Sequence, residues 1–376
     1  MKYDYVIVGA GFSGAVMAER LATQLNKKIL VIDKRNHIGG NCYDYTDEGV
    51  LIQKYGPHIF HTNNKKVYDY LSKFTKFNNY KHKVLTFHDK KYYIIPINLS
   101  TINKFYKINL NTEKELRKFL ETKKINIKEI KNSRDVVVSK FGEELYEAFV
   151  KDYTKKQWGL YPEELDKSVL ERLPIRYDKN PYFFDDLFQG MPVFGFTKIF
   201  EKMLSNPNIK VILNRDFFKI KNKITSQKLI FTGPIDSFFN YKFGKLGYRG
   251  IQFAFEKLNT FNFQPNSVVN YPNKETWFSR VTEFNKFYNN PQKSVICQET
   301  FVPGREGELG YPIINEKNKK ILEKYLKESE KTKKVYFIGR FGKYKYLNMD
   351  NAIEESLKLF EEIKNEENFQ FSVFQN

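Results

Sequence analysis

The sequence predicts an α/β protein in which both ends of the chain contribute to one nucleotide-binding domain. Three observations support this fold class. A glycine-rich turn follows a buried strand near the N-terminus, two short apolar strands return late in the chain, and the segment from about 100 to 172 has the apolar period of helices. Because 376 residues exceed the usual size of one hydrophobic core, we expect two or three structural units.

The composition is that of a globular protein and argues against several functional classes. Hydrophobic residues make up 41% of the chain, and no run of eighteen apolar residues or secretory leader is present, so we expect a cytoplasmic protein without membrane insertion. The net charge is +19, but the lysines are scattered and no nucleic-acid motif accompanies them, so we expect no nucleic-acid partner. Only Cys42 and Cys297 are present, without paired Cys/His spacing, which argues against a zinc or dithiol site.

The first forty residues carry the pattern of a dinucleotide-binding unit. An apolar run at 5–8 precedes the motif G-x-G-x-x-G at 9–14, and a helical stripe follows. In such a unit the first glycine makes a tight turn, the second admits a pyrophosphate and the third lets the helix pack closely on the strand. A second apolar run at 29–32 ends at Asp33, an acid placed to accept the ribose hydroxyls of adenosine.

Both NAD and FAD bind to such units, so the remaining glycines matter. The stretch "IGGN" adds Gly39 and Gly40, a second side-chain-free surface for phosphate or a flat ring. Two late strands, in "KLIFTGPID" and "KVYFIGR", return to the sheet, and the second leads into a helix for which we expect Asp350 or Asn351 as N-cap. That helix N-terminus can stabilise negative charge on a reduced flavin. We therefore predict a discontinuous FAD-binding domain without a built-in NAD(P)H site.

The middle of the chain divides into a helical part and a part with strands. Thr112 and Glu115 have the spacing of a capping box. A line of apolar residues recurs every four positions from Val137 to Phe149 and predicts a helical face that packs in the core rather than one that lines a binding groove. Arg249 and Arg280 lie beside aromatics in probable strands, where an arginine is either an edge residue or part of a diphosphate clamp.

Two of the five histidines stand three positions apart in "YGPHIFHTN". A metal site would need further ligands near His58 and His61, and the Gly-Pro pair breaks the helix that would put both on one face, so we expect no metal. A packed core histidine is a second interpretation for each. The interpretation that we prefer places both in the active site.

Ten motifs, taken together, resemble the UDP-galactopyranose mutase family of bacteria. They are "VIVGAGFSGA", "RNHIGGN", "YGPHIFHTN", "PINLSTINKFY", "YTKKQWG", "ERLPIR", "FQGMP", "FTGPID", "LGYR" and "KYLNMD". The resemblance implies a homodimeric flavoenzyme that interconverts UDP-galactopyranose and UDP-galactofuranose and supplies galactofuranose for cell-surface polysaccharide. N5 of reduced FAD would act as the nucleophile, without net redox change.

The resemblance also implies three domains. We expect an FAD-binding Rossmann-like domain from 1–79, 195–240 and 315–376, a helical bundle from 100–172, and a twisted antiparallel β-sheet domain from 80–99, 173–194 and 241–314.

Site residues follow from the same resemblance. The expected cofactor-binding residues are Gly9, Gly11, Phe12, Ser13, Gly14, Asp33, Lys34, Gly40, Asn41, His58, Ile59, Gly233, Arg340, Asn348, Met349 and Asp350. The expected substrate-binding residues are Phe149, Tyr153, Thr154, Trp158, Arg172, Tyr182, Arg249, Arg280, Tyr311 and Tyr346. As catalytic residues we expect Arg172 and Arg280 on the diphosphate, His58 against the flavin edge and His61 toward the sugar hydroxyls.

Two positions depart from the family pattern, and two other functions stay open. The segment "PYFF" either shifts Tyr182 by one place or puts Phe183 where a phosphate-binding hydroxyl stands, and Asn348 replaces an aspartate. The same chemistry on UDP-N-acetylgalactosamine or dTDP-fucose is one alternative function. An FAD amine oxidase or desaturase, or a non-catalytic nucleotide-sugar-binding protein, is the other, although the Arg–Tyr cluster would then be unexplained.

Overall fold

The computed structural model describes residues 2–171, 173–288, 293–304 and 306–373, with the side chains of the last helix described as far as Glu367. The strands are β1 Lys2–Val8, β2 Ile29–Ile32, β3 Asp44–Asp47, β4 Val50–Gln53, β5 Phe60–Thr62, β6 Val84–His88, β7 Lys91–Ile95, β8 Phe188–Gly190, β9 Ile209–Ile212, β10 Thr225–Phe231, β11 Tyr248–Lys257, β12 Val268–Asn270, β13 Arg280–Glu283, β14 Val295–Pro303, β15 Glu308–Pro312 and β16 Val335–Phe337. The α-helices are α1 Phe12–Leu25, α2 Lys65–Leu71, α3 Leu99–Tyr106, α4 Glu113–Lys123, α5 Ser133–Phe141, α6 Glu143–Leu145, α7 Asp152–Trp158, α8 Ser168–Glu171, α9 Thr197–Met203, α10 Phe217–Ile220, α11 Ile235–Phe238, α12 Glu316–Glu330, α13 Gly339–Gly342 and α14 Met349–Val373.

A five-stranded sheet is built from both ends of the chain, in the order β16-β10-β1-β2-β9. All of its strand pairs are parallel. The carboxyl ends of the strands therefore meet at one edge, which is where open α/β sheets bind ligands. The predicted α/β fold class and its discontinuous first sheet are confirmed.

Helix α1 begins directly after the glycine turn and packs closely on β1. A Cβ on Gly14 would lie 1.9 Å from the carbonyl oxygen of Gly9, so only glycine allows this approach. Gly9 itself has φ +106°, a conformation that favours glycine. The turn thereby brings the N-terminus of α1 to the carboxyl edge of the parallel sheet.

A seven-stranded sheet has the order β15-β11-β14-β13-β12-β6-β7 and is antiparallel except for the pair β12–β6. Its longest ladder joins β11 to β14, from Arg249 opposite Pro303 to Lys257 opposite Val295. A smaller ladder joins β5 to β8 and ties the "YGPHIFHTN" stretch to the segment around residue 188.

The helical part, α3 to α8, has its own apolar core. The line from Val137 to Phe149 is buried as predicted, but it does not form one helix. Helix α5 ends at Phe141, and the next residue, Gly142, has φ +81° and a position at which a Cβ would lie 2.3 Å from the carbonyl oxygen of Lys123. The predicted core-facing line is therefore confirmed, although the close approach of Gly142 to α4 divides it between helical segments.

Two predictions concern helix starts. The capping box of Thr112 and Glu115 is present at the start of α4. Helix α14 begins at Met349, and the Asn348 carbonyl accepts the first hydrogen bond, from the Ala352 N–H at 3.1 Å. The expected N-cap at Asp350 or Asn351 was wrong by two or three positions. Within the ranges given above, none of the helices combines the length and hydrophobicity that a membrane span requires.

Candidate active site

A cavity of about 520 Å³ is lined by the parallel-sheet edge, the helical part and the antiparallel sheet. It brings together residues predicted for the cofactor and residues predicted for the substrate. Those that line it are Asn41, His58, Ile59, His61, Phe149, Tyr153, Thr154, Trp158, Arg280, Tyr311, Arg340, Tyr346, Asn348 and Met349. The two groups of residues therefore border one space.

Beside this cavity, two glycine-rich backbones lie against each other. A Cβ on Gly40 would lie 2.9 Å from the Cα of Gly11, and the Gly39 N–H donates to the Ala10 carbonyl at 2.8 Å. Asp33 follows β2 at the same edge, and its carboxylate accepts N–H bonds from Ala10 at 2.8 Å and from Arg35 at 2.9 Å. We call Gly9–Gly14 with Gly39–Gly40 the glycine cradle. Its open backbone and the adjacent acid fit the pyrophosphate and ribose of a dinucleotide.

The other residues predicted to bind the cofactor lie in different environments near the glycine cradle. Gly233 follows β10 at the same edge, and a Cβ on Gly339 would lie 2.8 Å from the Ser13 hydroxyl. The Phe12 ring packs in the core against Phe200, with ring centroids 4.6 Å apart, so only its backbone belongs to the turn. Lys34 is exposed.

Arg340 connects two walls of the cavity. Its Nε and Nη2 donate to the Leu347 carbonyl at 3.1 and 2.7 Å, and its Nη1 donates to the Gly310 carbonyl at 3.0 Å. The guanidinium also lies over the rings of Tyr311 and Tyr346, which stack with centroids 5.2 Å apart. The charge thus stabilises the loop that delivers Tyr346 and the start of α14.

Arg280 has a cross-strand partner on each side. In the ladders it stands opposite Asn270 of β12 and Glu299 of β14. Its Nε donates to Asn270 Oδ1 at 3.2 Å, its Nη2 donates to the Tyr153 hydroxyl at 2.9 Å, and its Nη1 lies 3.7 Å from Glu299 Oε2. Burial raises the pKa of Glu299, an effect that the nearby Arg280 charge opposes. The guanidinium is therefore held as a fixed fork at the cavity wall.

The two histidines of "YGPHIFHTN" face the cavity from different surroundings. His58 Nδ1 donates to the Gly56 carbonyl at 2.9 Å, and burial, with a smaller effect of Arg340, lowers the pKa of His58 to about 4. His61 stacks on Phe184, with centroids 3.7 Å apart, and its Nδ1 lies 3.1 Å from Asp186 Oδ2. Among the described residues, no group of three or more His, Cys, Asp or Glu side chains is arranged to hold a metal ion.

Several cavity residues lie outside the motifs that predicted the site. His82 is buried, and burial, then Arg280, lowers its pKa to about 3, so it is neutral. In the sequence His82 stands between Lys81 and Lys83, a pattern typical of a solvent-exposed segment, so the sequence did not indicate that the histidine is buried. Asn270 and Glu299 also line the cavity, and their only signal was their position in strand-like segments near Arg280.

Comparison with known proteins decides the family. The family model described as UDP-galactopyranose mutase matches residues 148–346, and a model of NAD(P)-binding Rossmann-like domains matches residues 7–74. A probable UDP-galactopyranose mutase from Klebsiella pneumoniae is 37% identical, with 96% of this chain and 94% of the relative aligned. The chain belongs to the UDP-galactopyranose mutase family. It is therefore an isomerase, and the amine oxidase or desaturase alternative is not supported.

A second relative of nearly equal identity carries a different name. The dTDP-fucopyranose mutase of Escherichia coli is 36% identical over 94% of this chain and 96% of the relative. The crystal structure of a reduced UDP-galactopyranose mutase superimposes with a TM-score of 0.77, covering 97% of this chain and 94% of that one, at 16% identity. This structural likeness confirms the predicted fold.

Four residues predicted for a UDP-galactopyranose mutase site lie elsewhere or outside the described residues. Arg249 donates to the carbonyls of Lys156 and Gln157 at the end of α7, at 3.1 and 3.0 Å, and does not line the cavity. Asp350 accepts a hydrogen bond from Thr62 at 3.1 Å. Tyr182 lies outside the cavity lining, whereas the next residue, Phe183, belongs to it, so no hydroxyl is supplied there. Arg172 lies outside the described residues.

Proposed function

We propose that the protein interconverts UDP-galactopyranose and UDP-galactofuranose with FAD as its cofactor. The observation that carries the proposal is that one cavity is bordered both by residues predicted for the cofactor and by residues predicted for the substrate. One of its walls adjoins the glycine cradle and the start of α14, and another carries Arg280 with the aromatic side chains of α7 and β15. A dinucleotide and a nucleotide sugar would therefore meet in one space.

The residues around the glycine cradle fit an FAD molecule. Asp33 and the backbone of the cradle would hold the adenosine and pyrophosphate, and Asn41, His58 and Ile59 would border the ring system. When bound and reduced, the flavin supplies the nucleophilic nitrogen N5 that this isomerisation requires. The N-terminus of α14, at Met349, favours negative charge on the ring. His58 stays neutral at physiological pH, so the positive field beside the ring comes from the helix N-terminus and not from this histidine.

Arg280 is proposed to hold the diphosphate, which is both the binding handle and the leaving group. Its fork matches the geometry of phosphate oxygens, and Asn270, Glu299 and Tyr153 already fix its orientation. Because negative charge on the diphosphate increases as the bond to the anomeric carbon breaks, a fixed cation acts most strongly in the transition state. Arg280 would therefore affect kcat as well as KM.

The apolar part of the cavity is proposed to receive the uracil. Phe149 and Trp158 are buried and line it, and Tyr153 stands between this part and Arg280. Flat aromatic faces in a cavity of this kind exclude water from the reacting bond and orient the base.

Two further inferences concern the assembly and the location of the protein. We infer a homodimer from the family resemblance, and size-exclusion chromatography with light scattering tests it. We infer a cytoplasmic location because Cys42 and Cys297 are buried free thiols, as in proteins of reducing compartments.

Product analysis with a panel of substrates tests the function. Anaerobic, dithionite-reduced protein is incubated with UDP-galactofuranose, UDP-N-acetylgalactosamine and dTDP-fucose in turn, and products are separated by chromatography. We expect the highest kcat/KM with UDP-galactofuranose. A higher value with the dTDP sugar would support the alternative function, which the similarity to the Escherichia coli relative favours. Absence of any ring isomerisation would refute both.

A further inference from the structure

His61 is held next to a carboxylate that belongs to no motif. In the β5–β8 ladder His61 stands opposite Gln189, and Asp186 lies just before β8. The backbone around Asp186 is anchored twice. The Leu187 N–H donates to the Asn63 side chain at 2.9 Å, and the Gln189 side chain donates to the Asp186 carbonyl at 3.1 Å. The last residue of the "YGPHIFHTN" stretch thus positions the acid that contacts its second histidine.

Two contacts fix the plane and the rotation of the His61 ring. Its face lies on Phe184, with an interplanar angle of 12°, and its Nδ1 lies 3.1 Å from Asp186 Oδ2. An ionised carboxylate only accepts hydrogen bonds, so Nδ1 must carry the hydrogen. Nε2 has no hydrogen-bond partner among the described residues, and the ring lines the cavity.

We propose that Asp186 is a positioning residue for sugar recognition, acting through His61. By holding the hydrogen on Nδ1, it leaves the Nε2 lone pair to accept a hydrogen bond from a hydroxyl of the substrate sugar. This inference rests on the proposed function, because it takes the substrate to be a nucleotide sugar. It assigns a role to a residue that is not itself among those lining the cavity.

Asp186 is the acid that contacts the His61 ring, and it does so at Nδ1. The titratable and charged groups that face it are Asp186, the neutral His82 on the adjoining segment, and Arg280 beyond His82. In the part of the chain that the structure describes, no acid is hydrogen-bonded to Nε2, which leaves that atom open to the cavity.

The substitution Asp186→Asn separates positioning from simple packing. The amide has the shape of the carboxylate, but it can either donate or accept, so it permits both tautomers and both ring orientations of His61. The matched control is Asp185→Asn, which removes the same charge one residue earlier. Asp185 pairs with Arg176 and has no contact with His61.

The first measurement compares kcat/KM on the nucleotide sugar with the affinity for UDP alone. For Asp186→Asn we expect kcat/KM to fall roughly 10- to 100-fold, as for loss of a hydrogen bond that a charged group orients, with the UDP Kd unchanged. For Asp185→Asn we expect less than about a threefold change. Wild-type kcat/KM in Asp186→Asn, or an equal loss of UDP affinity, would overturn the inference while leaving the proposed function intact.

The second measurement does not depend on turnover. Long-range ¹H–¹⁵N spectra distinguish the two tautomers of neutral histidine, and the His61→Gln variant assigns the signal. We expect the Nδ1–H form in the wild-type protein and a mixture in Asp186→Asn. An Nε2–H form in the wild type would refute the inference even if the protein acts on another substrate.

A double-mutant cycle tests whether Asp186 acts through His61. In the His61→Gln background, Asp186→Asn should reduce kcat/KM by less than about twofold, because the ring that it orients is gone. Additive losses would show that the carboxylate has a separate role.

Discussion

The glycine cradle and the wall around Arg280 are built by opposite means. In the cradle, backbones meet because side chains are missing, as at Gly11 and Gly40. At the wall, side chains of the two neighbouring strands and one helix converge on a single guanidinium. We expect the glycine cradle to lose its function when a side-chain atom is added to a glycine. We expect the wall around Arg280 to lose its function when the charge or the planar guanidinium group is removed. Substitutions in the two regions should therefore have distinct signatures.

The largest expected effect is at the wall. Arg280→Ala should lower kcat/KM by roughly 30-fold to several thousand-fold, because loss of a charge-assisted contact in a closed site costs about 2–5 kcal/mol. The flavin spectrum should not change. Arg280→Lys should recover little, since one ammonium cannot reproduce a fork that Asn270 and Tyr153 orient. Steady-state kinetics with reduced protein provides the measurement. Near wild-type kcat/KM in the alanine variant would place the diphosphate elsewhere.

Two glycine substitutions break the cradle in different ways. Gly14→Ala puts a Cβ 1.9 Å from the Gly9 carbonyl oxygen, so we expect the free energy of unfolding to fall by about 3 kcal/mol or more. Gly11→Ala has room within the protein, with its Cβ 3.6 Å from the Gly40 Cα, but occupies the space proposed for pyrophosphate. We expect Gly11→Ala to retain stability without cofactor and to lose FAD affinity at least about 10-fold.

Denaturant titrations of cofactor-free protein and FAD titrations separate the two glycine variants. Equal FAD affinity in the wild type and in Gly11→Ala would remove the pyrophosphate from the cradle.

The glycine cradle and the wall around Arg280 also differ in how far the sequence alone predicts them. The cradle was predictable because its glycines, strand and acid are consecutive, and the turn itself dictates their spacing. Arg280 was found through a family resemblance. Its partners Asn270 and Glu299 were missed because they meet it only through strand register, ten and nineteen positions away. Asp186 was missed for the same reason, since it reaches His61 across the β5–β8 pair.

The buried histidine His82 predicts a pH dependence of stability. Its pKa is about 3 in the folded protein, below the ordinary value, so the unfolded chain binds a proton that the folded chain does not. Protonation of His82 in the unfolded chain therefore does not reduce the free energy of unfolding above about pH 6.5. Below that pH it reduces the free energy of unfolding by up to about 1.4 kcal/mol per pH unit.

The variant His82→Gln does not titrate, so its free energy of unfolding should fall less between pH 6.5 and 5 than that of the wild type. Urea unfolding at both pH values measures the difference. Identical slopes in the two proteins would mean that His82 is not buried in neutral form.

The smallest expected effect concerns Tyr182. Because Phe183 and not Tyr182 lines the cavity, Tyr182→Phe should change kcat/KM by less than about twofold. Arg280→Ala, assayed in parallel, provides the scale. A loss of tenfold or more would show that the tyrosine enters the site when substrate binds.

We propose that the glycine cradle and the wall around Arg280 serve one reaction without net electron transfer. The most direct test counts reductant during turnover. Anaerobic protein, reduced once by a stoichiometric amount of dithionite, should convert many equivalents of UDP-galactofuranose to UDP-galactopyranose, and the oxidised protein should convert none. Consumption of one equivalent of reductant for each product, or equal activity of the oxidised protein, would contradict a reaction that needs reduced flavin but transfers no net electrons.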